Sequence, residues 1–377
     1  MNVSPFLGFV RRVLNICRKE LLVILKDPSS RAMLVVPALL QSLIFGYAAT
    51  YDLKHASYAL LDQSHGQAAS ELIARVDATG VFERVATLRN EADIAPVIDA
   101  QKALMVIHIG PRFEQLLGEG QEAPIQVILD ARNSTTAANA SGYLGGIVEQ
   151  FNEDWRERHG GARPPLTVEA RAWYNPTLDT RWNMLPALVA ALSMLQTLML
   201  TALSVARERE QGTFDQLLVT PCTPAEIMIG KSVPSILVGL TQSTLILLVS
   251  IFWFDIPLAG SAIALYAGLL MFTIASVGIG LSISALSANM QQAMLYTFVL
   301  TMPLMLLSGL TTPVANMPLP MQWLTSVNPL RYAIHLVQRV YLEGVGLGTV
   351  AGDLVPLFVM ATITLPLAAW LFRHRMT

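Results

Sequence analysis

Three short stretches of this 377-residue chain gather side chains able to do chemistry. Asp62, Ser64 and His65 lie close together and Asp130 follows a later apolar run, the residue types of a hydrolytic relay. The usual housing is missing, since there is no Gly-x-Ser-x-Gly elbow to expose the serine and no His-Glu-x-x-His for a metal. His55, His65, His108 and His159 show no ligand spacing. The segment reads better as a strand-to-helix turn with Ser64 as the N-cap. In the second stretch, Gly230-Lys231-Ser232 has the ending of a phosphate-binding loop. That loop needs a glycine five residues before its second glycine, and position 225 is alanine. The stretch also leads into an apolar helix instead of following a strand, so Lys231 reads as an anchor at a membrane interface. Cys17 and Cys222 are the only thiols; neither has a partner at metal-ligand spacing, and both read as small buried apolar residues.

The third stretch is mechanical rather than catalytic. Arg207, Glu208, Arg209 and Glu210 directly follow a long apolar run. Each such charge at the centre of a bilayer costs about 3 kcal/mol or more, so the four stay at a membrane surface. Gly212 allows a tight turn beside Thr213, and Phe214, Leu217 and Leu218, with Gln216 among them, give the following segment a short apolar stripe. Thr220 to Pro224 ends that segment, and Pro224-Ala225-Glu226 opens the next helix. A helix tied so directly to a span can pass a push from a cytoplasmic partner into the membrane.

The elements around these stretches are those of a membrane protein. Apolar residues make up 53% of the chain and charged residues 14%, against roughly 25% charged in soluble domains. Residues 256–330 contain no Asp, Glu, Lys or Arg. Runs of about 20 apolar residues, the length that crosses a bilayer, occur near 32–51, 185–206, 232–254, 261–286, 293–310 and 354–372. Six transmembrane helices are therefore expected, with kinks at Pro37, Pro234, Pro303 and Pro356. With the N-terminus inside, eleven basic residues near span ends are cytoplasmic, against Arg331 and Arg339 outside, which satisfies the positive-inside rule. Both termini are then cytoplasmic. In residues 5–26, Phe6, Phe9, Val10, Val13, Leu14, Cys17, Leu21, Leu22 and Leu25 share one helical face, with Arg11, Arg12, Arg18 and Lys19 mainly on the other, the pattern of an interfacial helix. In the fourth span Gly268, Ala275, Gly278, Gly280 and Ser282 suit close helix packing.

Between the first two spans the pattern alternates. Strand-like runs at 58–61, 103–109 and 125–129 are interleaved with helical ones at 67–76, 91–98 and 141–158, which points to an α/β domain with a mixed sheet. A Gly- and Pro-rich linker at 160–165 and a returning strand at 166–174 are expected after it. The region from Asp52 to Trp182 holds 12 basic and 18 acidic residues, leaving 13 and 9 for the remainder. A mildly acidic domain beside a basic inner side does not suggest nucleic-acid binding.

The chain resembles the permeases of type 2 ABC exporters, most closely the bacterial drug-export permeases with one large periplasmic domain. The resemblance rests on Arg-Glu-Arg-Glu-Gln-Gly-Thr-x-x-Gln-Leu-Leu-x-x-Pro from Arg207, with Thr-Pro-x-Glu-Ile after it. The N-terminal Lys-Asp-Pro, Leu307-Ser308-Gly309 and Met317-Pro318 support it. It implies a membrane, mainly α-helical fold. Residues 1–31 would form the interfacial helix, 32–51 the first span, 52–182 the extracytoplasmic α/β domain and 183–377 a five-helix transmembrane domain. It also implies a coupling helix at 207–224 that docks on a separate ABC ATPase through Arg207, Glu208, Arg209, Glu210, Gly212 and Thr213, with Gln216, Leu217 and Leu218 as its packing face. The uncharged, Pro- and Thr-rich segment 308–330 would be re-entrant, with Ser308, Gly309, Leu310, Thr311, Thr312 and Pro313 closing the outer mouth. The expected setting is the bacterial inner membrane, with a homodimer or a heterodimer with a similar permease forming the pathway. A periplasmic adaptor would be a further partner. The chain itself is expected to bind no cofactor and no metal, ATP and magnesium being used by the ATPase. An uncharged pathway favours amphiphilic or apolar cargo, drug-like or lipid-like. The competing class is a membrane sensor or scaffold whose outer domain binds a ligand.

Overall fold

The computed structural model describes residues 5–48, 53, 55–132, 134–159, 179–213 and 222–374. It forms two compact units, one of Met1–Thr50 with Ala172–Thr377 and one of Tyr51–Arg171. The expected linker at 160–165, the returning strand at 166–174 and residues Gln216, Leu217 and Leu218 lie outside the described residues.

The chain opens with helices α1 (Pro5–Lys26) and α2 (Pro28–Ala48). The second unit then runs β1 (Ala56–Asp62), α3 (Gln67–Ala78), β2 (Phe82–Thr87), α4 (Ile94–Asp99), β3 (Met105–Ile109), α5 (Phe113–Gly118), β4 (Ile125–Leu129) and α6 (Ser134–Arg158). Its sheet order is β2-β1-β3-β4; β1 is parallel to both neighbours, and β4 is antiparallel to β3. Tyr58 and Leu60 join Met105 and Ile107 in a core with Leu72 of α3 and Phe151 of α6. Ala59, Leu61 and Val106 face the other way, toward Ile94, Val97 and Ile98. A strand buried on both faces reads as a continuous apolar run, which is why β1 is visible in the sequence. The edge strand β2 is not, because Glu83, Arg84 and Val85 are exposed.

The turn after β1 corrects the sequence reading. The N-cap residue of α3 is Gly66, which offers no side chain. Asp62 Oδ1 instead accepts the Ser64 and His65 amides at 2.9 and 3.2 Å. The Glu114 carboxylate reaches across from α5 to the Ala68 amide at 3.1 Å. Ser64 is therefore held by the turn, its hydroxyl buried without a partner among the described residues, and the cap comes from a residue 46 positions away that local spacing cannot reveal. Asp130 is engaged by Arg132 at 2.7 Å.

The helical unit continues with α7 (Thr180–Glu210), α8 (Pro224–Phe252), α9 (Ala262–Leu286), α10 (Met290–Leu306), α11 (Leu319–Thr325), α12 (Pro329–Gln338) and α13 (Ala351–His374). Four helices, α7, α8, α9 and α13, are long and apolar enough to cross a membrane, and a shorter apolar helix covers Leu34–Tyr47. α10 has 17 residues and so falls just below that length. The most buried of the four is α7, with 72% of its apolar window covered, against 17% for α13. Leu185, Leu188 and Leu198 of α7 pack with Leu269 and Phe272 of α9 and Ile334 and Val337 of α12. Small residues let these helices approach. A Cβ on Gly280 would strike Thr201 of α7, one on Gly278 would strike Thr364 of α13, and one on Gly268 would strike Leu336 of α12. These glycines thus serve packing within one chain.

Candidate functional site

The charged tetrad sits where α7 ends, and its four members do different things. Glycine 212, at φ +67°, stops the helix. The Thr213 amide donates to the Glu208 carbonyl at 3.0 Å and the Gly212 amide to the Arg209 carbonyl at 3.1 Å, the paired bonds of a Schellman motif. This is the physical meaning of Gly-Thr in the stretch: the carbonyls at the helix end are satisfied and the chain is turned away.

Glu208 points inward. Its carboxylate lies 2.7 Å from Lys19 of α1 and 2.9 Å from Lys231 of α8. Lys231, only 2% exposed, also reaches Glu20 of α1 at 3.0 Å and the Ser204 hydroxyl of α7 at 3.1 Å. The interfacial-anchor reading of Lys231 is thus replaced: it is the centre of a buried cluster of alternating charge joining α1, α7 and α8. A lone buried ammonium is costly, and neighbouring carboxylates within about 3 Å are what allow it to remain inside.

A second tie lies seven residues earlier on α1, about 10 Å along its axis. Arg12 donates from Nε and Nη2 to Glu226 Oε1 at 2.9 and 2.7 Å. The Glu226 side chain is fully buried, and its other oxygen accepts the Thr223 amide at 2.7 Å while Thr223 Oγ1 accepts the Glu226 amide at 3.3 Å. That capping box starts α8. On α1 Phe6, Leu14 and Leu25 of the apolar face are exposed, as are Arg11 and Arg18, while Cys17 is buried and Arg12 and Lys19 reach protein carboxylates.

Arg209 and Glu210 hold the junction of α9 and α10. Arg209 Nη1 donates to the Ala285 and Ser287 carbonyls at 3.2 and 2.9 Å, and Glu210 Oε2 accepts the Met290 amide at 3.0 Å. Arg207 is half-buried and lines a cavity of about 550 Å³ between α1, α7 and α8. Among the described residues no carboxylate lies within ion-pair distance of it. Sequence reasoning singled out the tetrad but missed Arg12, Glu20, Ser204 and Glu226. One signal was available: Lys231 stands seven residues inside the apolar helix starting at Pro224, and an ionisable group there calls for a partner.

The expected outer segment begins at the other end of α10. Ser308 is buried; its hydroxyl donates to the Met305 carbonyl at 2.6 Å and accepts the Leu310 amide at 3.2 Å. Gly309, at φ +91°, reverses the chain, and Thr311, Thr312 and Pro313 are exposed beyond half-buried Leu310. Asn328 returns to this point, donating to the Leu304 carbonyl at 2.7 Å and capping α12 through the Leu330 amide at 3.0 Å. A cavity of about 320 Å³ separates Ser308 and Gly309 from His335 and Asp353. There Asp353 pairs with His335 at 2.8 Å and Arg339 at 3.2 Å.

Apolar helices of membrane-crossing length, joined by ion pairs to an amphipathic helix, are those of a multi-pass membrane protein. The chain belongs to the ABC-2 family of transporter proteins, whose model matches residues 29–370. It is 40% identical to the Probable multidrug ABC transporter permease YbhR of Escherichia coli K12, over 97% of this chain and 99% of that one. It is 31% identical to the Probable multidrug ABC transporter permease YbhS of the same organism, over 90% and 91%. The Inner membrane transport permease YhhJ, also from Escherichia coli K12, is 26% identical over 97% of both chains. Membership in the family supports a permease subunit and implies association with an ABC ATPase.

Proposed function

We propose that this chain is the membrane-spanning half of an ATP-driven exporter in a bacterial inner membrane, moving amphiphilic or apolar substrates. It has six spans: the four long apolar helices, with α2 and α10 as the shorter two. Both termini and the tetrad lie on the cytoplasmic side, and the sheet unit is extracytoplasmic. Two copies, or one copy with a similar permease, enclose the pathway, and a periplasmic adaptor is a further partner. The chain itself holds no cofactor; ATP and magnesium belong to the ATPase.

The observation that carries this reading is the three-way split of the tetrad. Gly212, Thr213 and the segment through Gln216, Leu217 and Leu218 meet the ATPase. Arg207, Glu208, Arg209 and Glu210 form the root of the coupling segment. Through Glu208 a displacement is passed to α1 and α8, and through Arg209 and Glu210 to the start of α10. The far end of α10 leads into Ser308, Gly309, Leu310, Thr311, Thr312 and Pro313, the outer gate, so one rigid helix joins the driven end to the gated end.

The test uses the full chain in membranes. It should co-purify with a polypeptide carrying Walker A and B motifs, and vesicles containing both should move a fluorescent amphiphile only with ATP. Leu217→Asp with Leu218→Asp should insert normally and lose the ATPase. Recovery of the intact chain without any ATPase overturns the proposal.

A further inference from the structure

The cavity beside Arg207 has a chemistry that neither the coupling role nor the family assigns. Three cations border it, Lys19, Arg207 and Lys231, against two carboxylates, Glu20 and Glu208. The carboxylates are already committed: Glu208 to Lys19 and Lys231 at 2.7 and 2.9 Å, and Glu20 to Lys231 at 3.0 Å. Among the described residues one positive charge is left over, and it is on Arg207. A guanidinium is a planar fork of donors that matches two oxygens of a phosphate, and it keeps its charge when partly desolvated.

Much of the remaining wall is apolar, with Ser204, Gln211, Thr213 and Ser235 interspersed. Ile24, Leu200, Leu203 and Pro234 line the cavity, and Val23, also in its wall, is 43% exposed. Leu22 and Leu25 of the same helix are exposed as well. A cavity of about 550 Å³ lies within the roughly 300–1,000 Å³ range of small-molecule sites. Its surplus cation and its apolar lining together match a head that is anionic and a tail that is not. A soluble anion would leave the apolar wall unused, and a wholly apolar ligand would bury Arg207 without a counter-charge.

We infer that this cavity between α1, α7 and α8 is a binding site for a phosphate-bearing amphiphile of the lipid surface, with Arg207 holding the phosphate. The site depends on the chain lying in a membrane and not on the identity of the ATPase, so the two proposals fail separately. An occupant would wedge between α1 and the end of α7, beside the Glu208–Lys231 pair. It would therefore make the stiffness of this joint sensitive to the anionic lipid around it.

The experiment uses the full chain purified in an uncharged detergent, with native mass spectrometry and thermal unfolding as readouts. Probes are lysophosphatidylglycerol, lysophosphatidylcholine and inorganic phosphate. Lysophosphatidylglycerol should bind and raise the unfolding temperature, with lysophosphatidylcholine and phosphate each far weaker. Arg207→Gln should weaken lysophosphatidylglycerol about tenfold, the loss of one charge-assisted hydrogen bond, while Arg207→Lys keeps part of the affinity. Because Arg207 has no ion pair to break among the described residues, the unliganded variant should unfold at the parental temperature. Arg156→Gln on exposed α6 should change nothing. Equal binding of the two lysolipids, or parental affinity in Arg207→Gln, overturns the proposal. Phosphate binding as tightly as lysophosphatidylglycerol overturns it too, by making this a plain anion site.

Discussion

The two units use charge in opposite ways, although the distances are alike. In the sheet unit, Glu71 meets Arg75 and Arg158 at 2.7 Å each, and Arg75 meets Asp154 at 2.6 Å. In the bundle, Glu208 meets Lys19 and Lys231 at 2.7 and 2.9 Å. What differs is the surroundings. The sheet-unit side chains are 27–48% exposed, whereas Lys231 and Glu208 are 1% and 10% exposed at the side chain. Water screens the first network, and exposed pairs of this kind contribute roughly 0–1 kcal/mol. In the second only Lys19, 51% exposed, is screened; Lys231 and Glu208 are not, and breaking one partner of a buried pair costs about 3–5 kcal/mol. Separation alone therefore says little about which contacts govern the fold.

The sharpest way to break that comparison is Lys231→Met. It leaves Glu20 and Glu208 facing each other with Lys19 alone to offset them, and a loss of about 3–5 kcal/mol is expected. The protein should lose its monodisperse peak in detergent or unfold at a much lower temperature. Adding Glu20→Gln and Glu208→Gln should restore most of the stability, because no buried charge is then unmatched. A single variant as stable as the parent would put the cluster on the same footing as the surface network.

Next in size is an apolar counterpart at the crossing of α9 with α7. Gly280→Val would drive a side chain into Thr201 and toward the Leu198 carbonyl, and overpacking of this sort costs about 1–3 kcal/mol. Pairing it with Thr201→Ala should recover part of the loss. If Gly280→Val is harmless alone, the helices are further apart in the membrane than this packing implies. A somewhat smaller effect is expected from Arg209→Ala, which frees the Ala285 and Ser287 carbonyls. About 1–2 kcal/mol should be lost, and amide exchange should rise over residues 288–292 with no change in the sheet unit.

The legible part of the molecule was the part encoded locally. Of the six apolar runs, four are helices long and apolar enough to cross a membrane, β1, β3 and β4 stand out as apolar runs between helical ones, and the tetrad draws attention because four charges cannot enter lipid. What escaped depends on partners far apart in sequence. Arg12 and Glu226 are 214 positions apart, Glu114 caps a helix from another element, and β2 shows no apolar alternation because it is an edge. Lys231 was misjudged for the same reason: its position looked interfacial, and only the fold brings Glu20 and Glu208 to it.

The smallest predicted effect probes the screened side of the comparison. Arg158→Ala removes one of two guanidiniums on Glu71, and the remaining Arg75 contact limits the loss to about 0.5 kcal/mol. Burial alone would raise the Glu71 carboxyl, but Arg158 and Arg75 outweigh it and hold it below its ordinary range. A carboxyl so depressed contributes stability above its unfolded value of 4.5, and that contribution is lost as pH falls through the lower folded value. Amide exchange in α3 and α6 should therefore rise modestly below pH 4.5, and molar salt should blunt the effect of Arg158→Ala because these charges are exposed. The Lys231 cluster should show no such salt dependence. If salt weakens both alike, water reaches Lys231, and the contrast between the two units collapses.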